Sequence, residues 1–315
     1  MTTLVTGANG FVGSALCARL SRDGMPVRRA VRAVSSSAVG VESTAISRLS
    51  SETEWTEALR NVEHVVHLAA RVHVMNGECL DPLAEFRRVN VEGTANLAIQ
   101  AAAAGVKRFV FLSSIKVNGE FTKFGKPFIA NDAPAPENSY GISKHEAEQL
   151  LRQIASDTGM EVAIIRSPLV YGPGVKANFE SMMRWLTYGI PLPLAAITEN
   201  RRSFVALDNL LDLIVTCLNH PAAANQTFLV SDGEDLSTAE LLARLGRAMN
   251  LRPRLIRVPS ALLWMGATLL GRRYQAQRLL GNLQIDIGHA CTTLGWTPPL
   301  SVDEGLRLAA EGFRT

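Results

Sequence analysis

Apolar-rich runs alternate along this chain with stretches whose apolar positions recur every three or four residues. Thr3-Leu4-Val5-Thr6, Pro26 to Val31, His64 to Ala70, Val106 to Ser114 and Val162 to Ile165 are short runs rich in apolar residues and read as buried strands. A third strand is predicted within Thr44 to Leu49. Helical spacing predicts elements over Ser14 to Asp23, Trp55 to Leu59, Pro82 to Ala104 (closed by Gly105) and Asn138 to Asp157, each between two strands. Strands followed in turn by helices predict an α/β fold with a doubly wound parallel sheet.

The first strand runs into Gly7-Ala8-Asn9-Gly10-Phe11-Val12-Gly13, a G-x-x-G-x-x-G turn opening the first helix. Glycines there let the backbone close on a pyrophosphate, and the helix N-terminus offers free N–H groups and partial positive charge. Gly7, Asn9, Gly10, Phe11, Val12 and Gly13 are therefore candidate dinucleotide ligands in a Rossmann sheet. At the end of the second strand an acidic residue would read the ribose 2′-hydroxyl of NAD. Val27-Arg28-Arg29-Ala30-Val31-Arg32 has none. Arg32, with the following Ala33-Val34-Ser35-Ser36, could receive a 2′-phosphate instead, which favours NADP(H) with NAD(H) as the alternative. The fourth strand ends in Leu68-Ala69-Ala70, small enough for close cofactor approach, while His67 reads as a satisfied core histidine.

Tyr140 and Lys144 stand four apart on one helix face. A phenol with a pKa near 10 needs help to work at neutral pH, and a neighbouring ammonium would lower that pKa. Ser113-Ser114 closes the fifth strand at the sheet edge where ligands of such sheets bind. Segment 118–138, punctuated by Gly125, Pro127, Pro134 and Pro136, reads as a substrate-covering loop. Asn90, on the apolar side of its helix, needs a partner and is expected to hold neighbouring backbone.

After the sixth strand, ending in Arg166-Ser167-Pro168, the composition shifts to Pro/Gly punctuation and short helices, with strands expected at Phe204 to Leu207 and Thr227 to Val230. The expected division is a dinucleotide-binding domain over 1–166 with a return segment at 204–231, interleaved with a smaller substrate domain over 167–203 and 232–315. The helix Ser260 to Leu270 is apolar on nearly every face. Burial is the simplest account of it, with an oligomer or membrane contact as the alternative.

Bulk properties narrow the functional classes. The longest apolar run, Ala261 to Leu270, is too short to span a bilayer. A strand within a few residues of Met1 does not fit a signal peptide, so a cytoplasmic protein is expected. Cys17, Cys79, Cys217 and Cys291 are far apart and read as reduced thiols, and the His residues show no metal-ligand spacing, so no metal is expected. A net charge of +3 with scattered arginines gives no nucleic-acid surface.

Gly7-x-x-Gly10-x-x-Gly13, His67-Leu68-Ala69-Ala70, Ser113-Ser114, Tyr140-x-x-x-Lys144, Val170-Tyr171-Gly172-Pro173-Gly174, Arg202-Ser203-Phe204-Val205 and Leu294-Gly295-Trp296 together resemble the extended short-chain dehydrogenase/reductases, among them the UDP-glucose 4-epimerase-like nucleotide-sugar enzymes. Ser113 to Glu120 and Gly174 to Phe179 are similar to bacterial O-antigen 4-keto-sugar reductases, which make UDP-N-acetylquinovosamine or UDP-N-acetylfucosamine. The resemblance implies that Ser114 bonds the sugar C4 oxygen, Tyr140 is the acid/base, and Lys144 holds the nicotinamide ribose. Asn178, Arg202 and Arg278 would bind the diphosphate of a UDP-sugar. It also implies a homodimer through helices 82–104 and 138–157.

Three reactions follow from that resemblance. Ile115-Lys116 stands where a 4,6-dehydratase usually has Asp-Glu, which argues against dehydration. A 4-epimerase benefits from a carboxylate after the second strand and often has Tyr where Asn118 stands. Both departures favour a C4-keto reductase serving lipopolysaccharide synthesis, with the 4-epimerase as alternative and a non-catalytic cofactor sensor behind both.

Overall fold

The computed structural model describes residues 1–33, 42–72 and 81–314. Cys79 and Val34 to Ser36 of the expected phosphate site lie outside them. Among the described residues eleven strands form: β1 Thr2–Thr6, β2 Val27–Val31, β3 Glu42–Ala45, β4 Val62–His67, β5 Arg108–Ser114, β6 Glu161–Ser167, β7 Val170–Tyr171, β8 Arg202–Ser203, β9 Val205–Ala206, β10 Thr227–Leu229 and β11 Asp235–Leu236. Seven of them make one sheet, in the order β10-β6-β5-β4-β1-β2-β3, with every pairing parallel. The order reverses at β1, between β4 and β2, so the crevice expected of a doubly wound sheet opens directly above the glycine turn.

Both faces of the sheet are covered, which explains the apolar-rich strands. One face packs Val5, Val66, Val110 and Ile165 against the helices Phe11–Arg22 and Leu207–Asn219, with Ala290, Leu294 and Trp296 closing it. The other packs Leu4, Val65, Phe109 and Ile164 against Leu97, Ala101, Ala147 and Leu151. A third core, around Tyr171, Phe179, Met183, Leu242 and Leu306, belongs to the lobe beside the carboxyl edge.

Three elements depart from expectation. β3 ends at Ala45, and Ile46 to Leu49 leave the sheet to wall the cleft. The long helix runs Pro82–Phe86, Arg87–Glu92 and Gly93–Ala103, its middle part wound as a π-helix, a form often found beside functional sites. The helix Ser260–Leu269, expected to be buried, has no buried residue. It packs on its neighbour Arg273–Leu280 and through Leu263 on the third core. An apolar pattern all round a helix says nothing about whether enough partner surface exists to cover it.

Candidate active site

A cleft of ≈ 1070 Å³ runs from the glycine turn across the carboxyl edge of the sheet to the second lobe. Of the site residues named from the sequence, residues 7 and 9–13, Arg32, Leu68, Ala69, Ala70, Ser114, Tyr140, Lys144, Asn178, Arg202 and Arg278 line it, and Ala33 does not.

The glycine turn is set by close packing. Gly7 has φ +66°, and a Cβ there would stand 2.8 Å from the Ala69 nitrogen. A Cβ on Gly13 would run into the Gly7 carbonyl oxygen. The Gly10 amide donates to Gly7 O at 2.8 Å, and the helix begins at Phe11, directly against the cleft. Thr6 Oγ1 accepts from the amides of Leu68 and Ala69 at 3.2 and 3.3 Å, locking the ends of β1 and β4 together. This cradle fits a pyrophosphate: bare backbone, no side chain in the way, and free N–H groups at a helix start. At the adenosine end Arg29 donates to Asn9 Oδ1 at 2.6 Å, and Arg48, not singled out from the sequence, joins Arg32 on the wall. Arg28 is structural, bonded to the carbonyls of Ala58 and Arg60 and paired with Glu42.

At the centre stand Ser114, Tyr140 and Lys144. The Tyr140 helix, Ser139–Thr158, is capped by Asn138, whose side chain accepts from the Gly141 amide at 2.8 Å. A Cβ on Gly141 would lie 2.7 Å from Lys116 O, so this glycine lets the helix approach the Ser114 turn. Asn90, in the π-wound segment, bonds both backbone groups of Arg71 and the Ser143 hydroxyl, the backbone-holding role expected of it. His67 is the core histidine expected, held between Thr6 Oγ1 and Thr94 Oγ1 at 2.7 and 3.0 Å and stacked on Phe111. Burial pushes its pKa down to about 3, with the Lys144 charge adding to the effect.

The tyrosine–lysine electrostatics differ from expectation. Lys144 Nζ donates to the Leu112 carbonyl at 2.8 Å and lies over the Phe111 ring. Burial lowers its pKa to about 7, against the opposing pull of Glu148. Tyr140 feels burial alone and is pushed up to about 12. Spacing of four put both groups on one face, but the long lysine chain reaches past the phenol to the strand.

Behind the centre lies a buried network. Arg166 holds Glu148 through two hydrogen bonds, at 3.0 and 2.7 Å. Ser113 donates to the same carboxylate at 2.6 Å, and Arg166 reaches Asn118 Oδ1 at 2.9 Å. Burial would raise the Glu148 pKa, but these contacts outweigh it and hold the group below the ordinary carboxylate range. Asn118 also donates to Ile129 O. It supports the covering loop from behind.

The far end is polar and cationic. Asn178 lies in the first turn of the helix Ala177–Thr187, after Ala177 at φ +59°, a costly backbone for a residue with a side chain. Arg202 and Arg278 come together here: burial first, and the Arg278 charge second, push the Arg202 pKa down to about 10. Two guanidiniums so placed make a site for a doubly charged anion. Sequence reasoning did not single out Glu120 and Tyr274. Glu120 binds Asn138, Lys116 and the Tyr274 hydroxyl. The signals available were Glu120's place after Gly119 and Tyr274's place one turn before Arg278. The covering loop is fastened to the second lobe by backbone bonds Thr122–Asn282 and Phe128–Gln284. No group of metal-ligating side chains forms among the described residues.

A seven-stranded parallel sheet, a glycine turn at its reversal point and a Tyr-x-x-x-Lys helix against β5 define a dinucleotide-dependent enzyme of the short-chain dehydrogenase/reductase class. Residues 3–231 match the NAD dependent epimerase/dehydratase family, and the chain belongs to that family. A UDP-glucose 4-epimerase of Vibrio cholerae is 48% identical over 311 residues, covering 98% of this chain and 94% of that protein. A UDP-2-acetamido-2,6-beta-L-arabino-hexul-4-ose reductase of Pseudomonas aeruginosa is 28% identical over 69% of this chain and 48% of its own length. The structure of MoeE5 in complex with UDP-glucuronic acid and NAD superposes with TM-score 0.79 at 25% identity, covering 100% of this chain and 99% of that one. The chain is thus a nucleotide-sugar enzyme of an NAD-dependent family. These relatives favour the epimerase over the reductase expected first, and NAD over NADP.

Proposed function

We propose that the chain is a UDP-hexose or UDP-N-acetylhexosamine 4-epimerase working with NAD. The observation that carries this reading is the continuity of one cleft from the glycine cradle, past Ser114 and Tyr140, to the Arg202–Arg278 pair. A nicotinamide dinucleotide held by the Gly7–Gly13 cradle and Lys144 would supply the hydride chemistry at C4. The protein's own part is proton handling and positioning. For oxidation Tyr140 must first have released its own proton to solvent; the tyrosinate then accepts the C4 hydroxyl proton and gives it back during reduction, and Ser114 bonds the same oxygen. Lys144 is a soft base or acid near neutrality that can trade its bond to Leu112 O for one to a ribose hydroxyl. Arg202, Arg278 and Asn178 grip the diphosphate, which relieves the repulsion between the two guanidiniums. The lobe built on the core of Tyr171, Phe179, Leu242 and Leu306 holds the nucleotide sugar, while Ala290, Leu294 and Trp296, expected within it, pack on the sheet of the first domain. Exposed Ile99 and Leu150, on the long helix and the Tyr140 helix, support a homodimer through those two helices.

Reduction of a UDP-4-keto-6-deoxy-N-acetylhexosamine is the second reading. It is favoured by Arg32, rather than a carboxylate, at the end of β2. One assay separates them. Purified protein given UDP-glucose or UDP-N-acetylglucosamine, without added reductant, is expected to form the C4 epimer. No epimer, together with stoichiometric oxidation of NADH or NADPH by UDP-2-acetamido-2,6-dideoxy-4-hexulose, would replace the epimerase reading with the reductase. The faster of the two coenzymes in that experiment fixes whether Arg32 and Arg48 receive a 2′-phosphate. Unchanged biological activity of Tyr140→Phe would sink both in favour of a cofactor sensor.

A further inference from the structure

The helix Ser260–Leu269 and its flanks form a surface the proposed reaction does not use. Ile256, Leu262, Met265, Leu269 and Leu270 are 51%, 52%, 57%, 82% and 74% exposed, on a helix with no buried residue at all. Such a contiguous patch calls for a partner. Charge identifies it. Residues 241–285 contain eight arginines and no Asp or Glu, although the whole chain carries only +3, so the remainder is net acidic. Among the described residues only Arg244 of the eight has carboxylate partners, Glu234 and Asp303. Arg252, Arg254 and Arg257 precede the helix and Arg272 and Arg273 follow it, all exposed.

We infer that this edge docks on an anionic lipid bilayer, with the helix lying in the interface. An apolar face flanked by arginines is the pattern of helices that lie in the membrane plane, their apolar side chains among the acyl chains and their cations among headgroups. No described helix is long and apolar enough to cross a membrane, so the contact is peripheral. A second copy of the chain fits less well. A two-fold contact through this edge would bring two carboxylate-free arginine belts together. The edge is mechanically anchored: Leu192 N donates to Arg254 O and Ile256 N to Leu192 O, at 2.9 and 2.8 Å. It is also next to the site. The chain turns at Gly271, φ +66°, and the following helix delivers Tyr274 and Arg278 to the cleft. Docking would therefore set the sugar end of the cleft close to the bilayer surface.

Flotation of the full-length protein with vesicles tests this. Binding to phosphatidylethanolamine/phosphatidylglycerol vesicles is expected to exceed binding to phosphatidylcholine vesicles by roughly tenfold or more, and to fall at high salt. Met265→Glu/Leu269→Glu should lower it by about the same factor while leaving epimer formation from soluble substrate unchanged. Arg272→Glu/Arg273→Glu should remove most of the salt-sensitive part. A readout on the unaltered protein guards against misfolding of variants: Trp264, half-buried in this helix, should be quenched by brominated phosphatidylglycerol. Absence of both flotation and quenching overturns the inference. So does equal binding to both vesicle types, or a lipid-indifferent oligomer that Leu269→Glu dissociates, which would give the patch to a second copy.

Discussion

At its cofactor end the cleft is walled by backbone: Gly7, Gly10 and Gly13, the amides opening the first helix, and the small Leu68-Ala69-Ala70 turn. At its sugar end it is walled by long side chains, Arg202, Arg278, Tyr274 and Glu120, drawn from segments far apart in the chain. The first end tolerates almost nothing, since a Cβ on Gly13 would collide with Gly7 O and one on Gly7 with Ala69 N. The second depends on side-chain contacts instead, Glu120 meeting Asn138, Lys116 and Tyr274. Tyr140 sits at the junction. Its replacement by Phe removes the proton donor and leaves both ends intact. The turnover rate should fall by about 10²–10⁴-fold with UDP affinity, read by calorimetry, unchanged. A matching loss of UDP affinity would mean the hydroxyl serves binding instead.

The wall behind the centre should break next. Arg166→Met strands Glu148, a fully buried carboxylate, without its bidentate partner. Removing one member of a buried pair costs about 3–5 kcal/mol, seen as a large drop in the urea midpoint. Arg166→Met/Glu148→Leu should recover much of it. If the double variant is no better than the single, desolvated charge is not the cause.

Much of the cofactor end was legible from sequence because its signals are local. Glycine spacing, an apolar strand before it and helical spacing after it fall within one stretch, and each residue's backbone does the work. The sugar end was legible only through resemblance, because nothing local places Arg202 beside Arg278 or Tyr274 on Glu120. Two further misses have physical causes. The Tyr140–Lys144 spacing fixes a helix face but not where a lysine with four methylenes ends, and here it ends on Leu112 O. The helix Ser260–Leu269 has the composition of a core helix without a core to cover it.

The comparison of the two ends sharpens with a pair of variants. Arg202→Ala removes charged hydrogen bonds to a diphosphate, each worth about 1.5–3 kcal/mol. KM for the UDP-sugar should rise by roughly 10–100-fold with NAD affinity held. Gly10→Val should do the reverse, weakening NAD by about tenfold or more with UDP affinity held. Were each variant to weaken both ligands, the two ends would not be separable and the cleft would respond as one unit.

The smallest effect concerns His67, which belongs to the cofactor end but touches no ligand. Its pKa is pushed down to about 3 in the fold, against about 6.5 in an unfolded chain. Between those values the unfolded state binds a proton that the native state refuses, so acid favours unfolding. The contribution is intact above pH 6.5 and is lost as pH falls, at about 1.4 kcal/mol per pH unit, until about pH 3. His67→Gln cannot titrate, yet its amide can serve Thr6 and Thr94. It should be less stable at pH 7, because the stack on Phe111 is lost, but its stability should fall less steeply on acidification. Urea midpoints of both proteins between pH 7 and 4 measure the difference in slope, with the other carboxylates common to both. Parallel slopes would mean that the folded histidine takes up a proton after all, its hydroxyl partners rearranging to let both ring nitrogens donate.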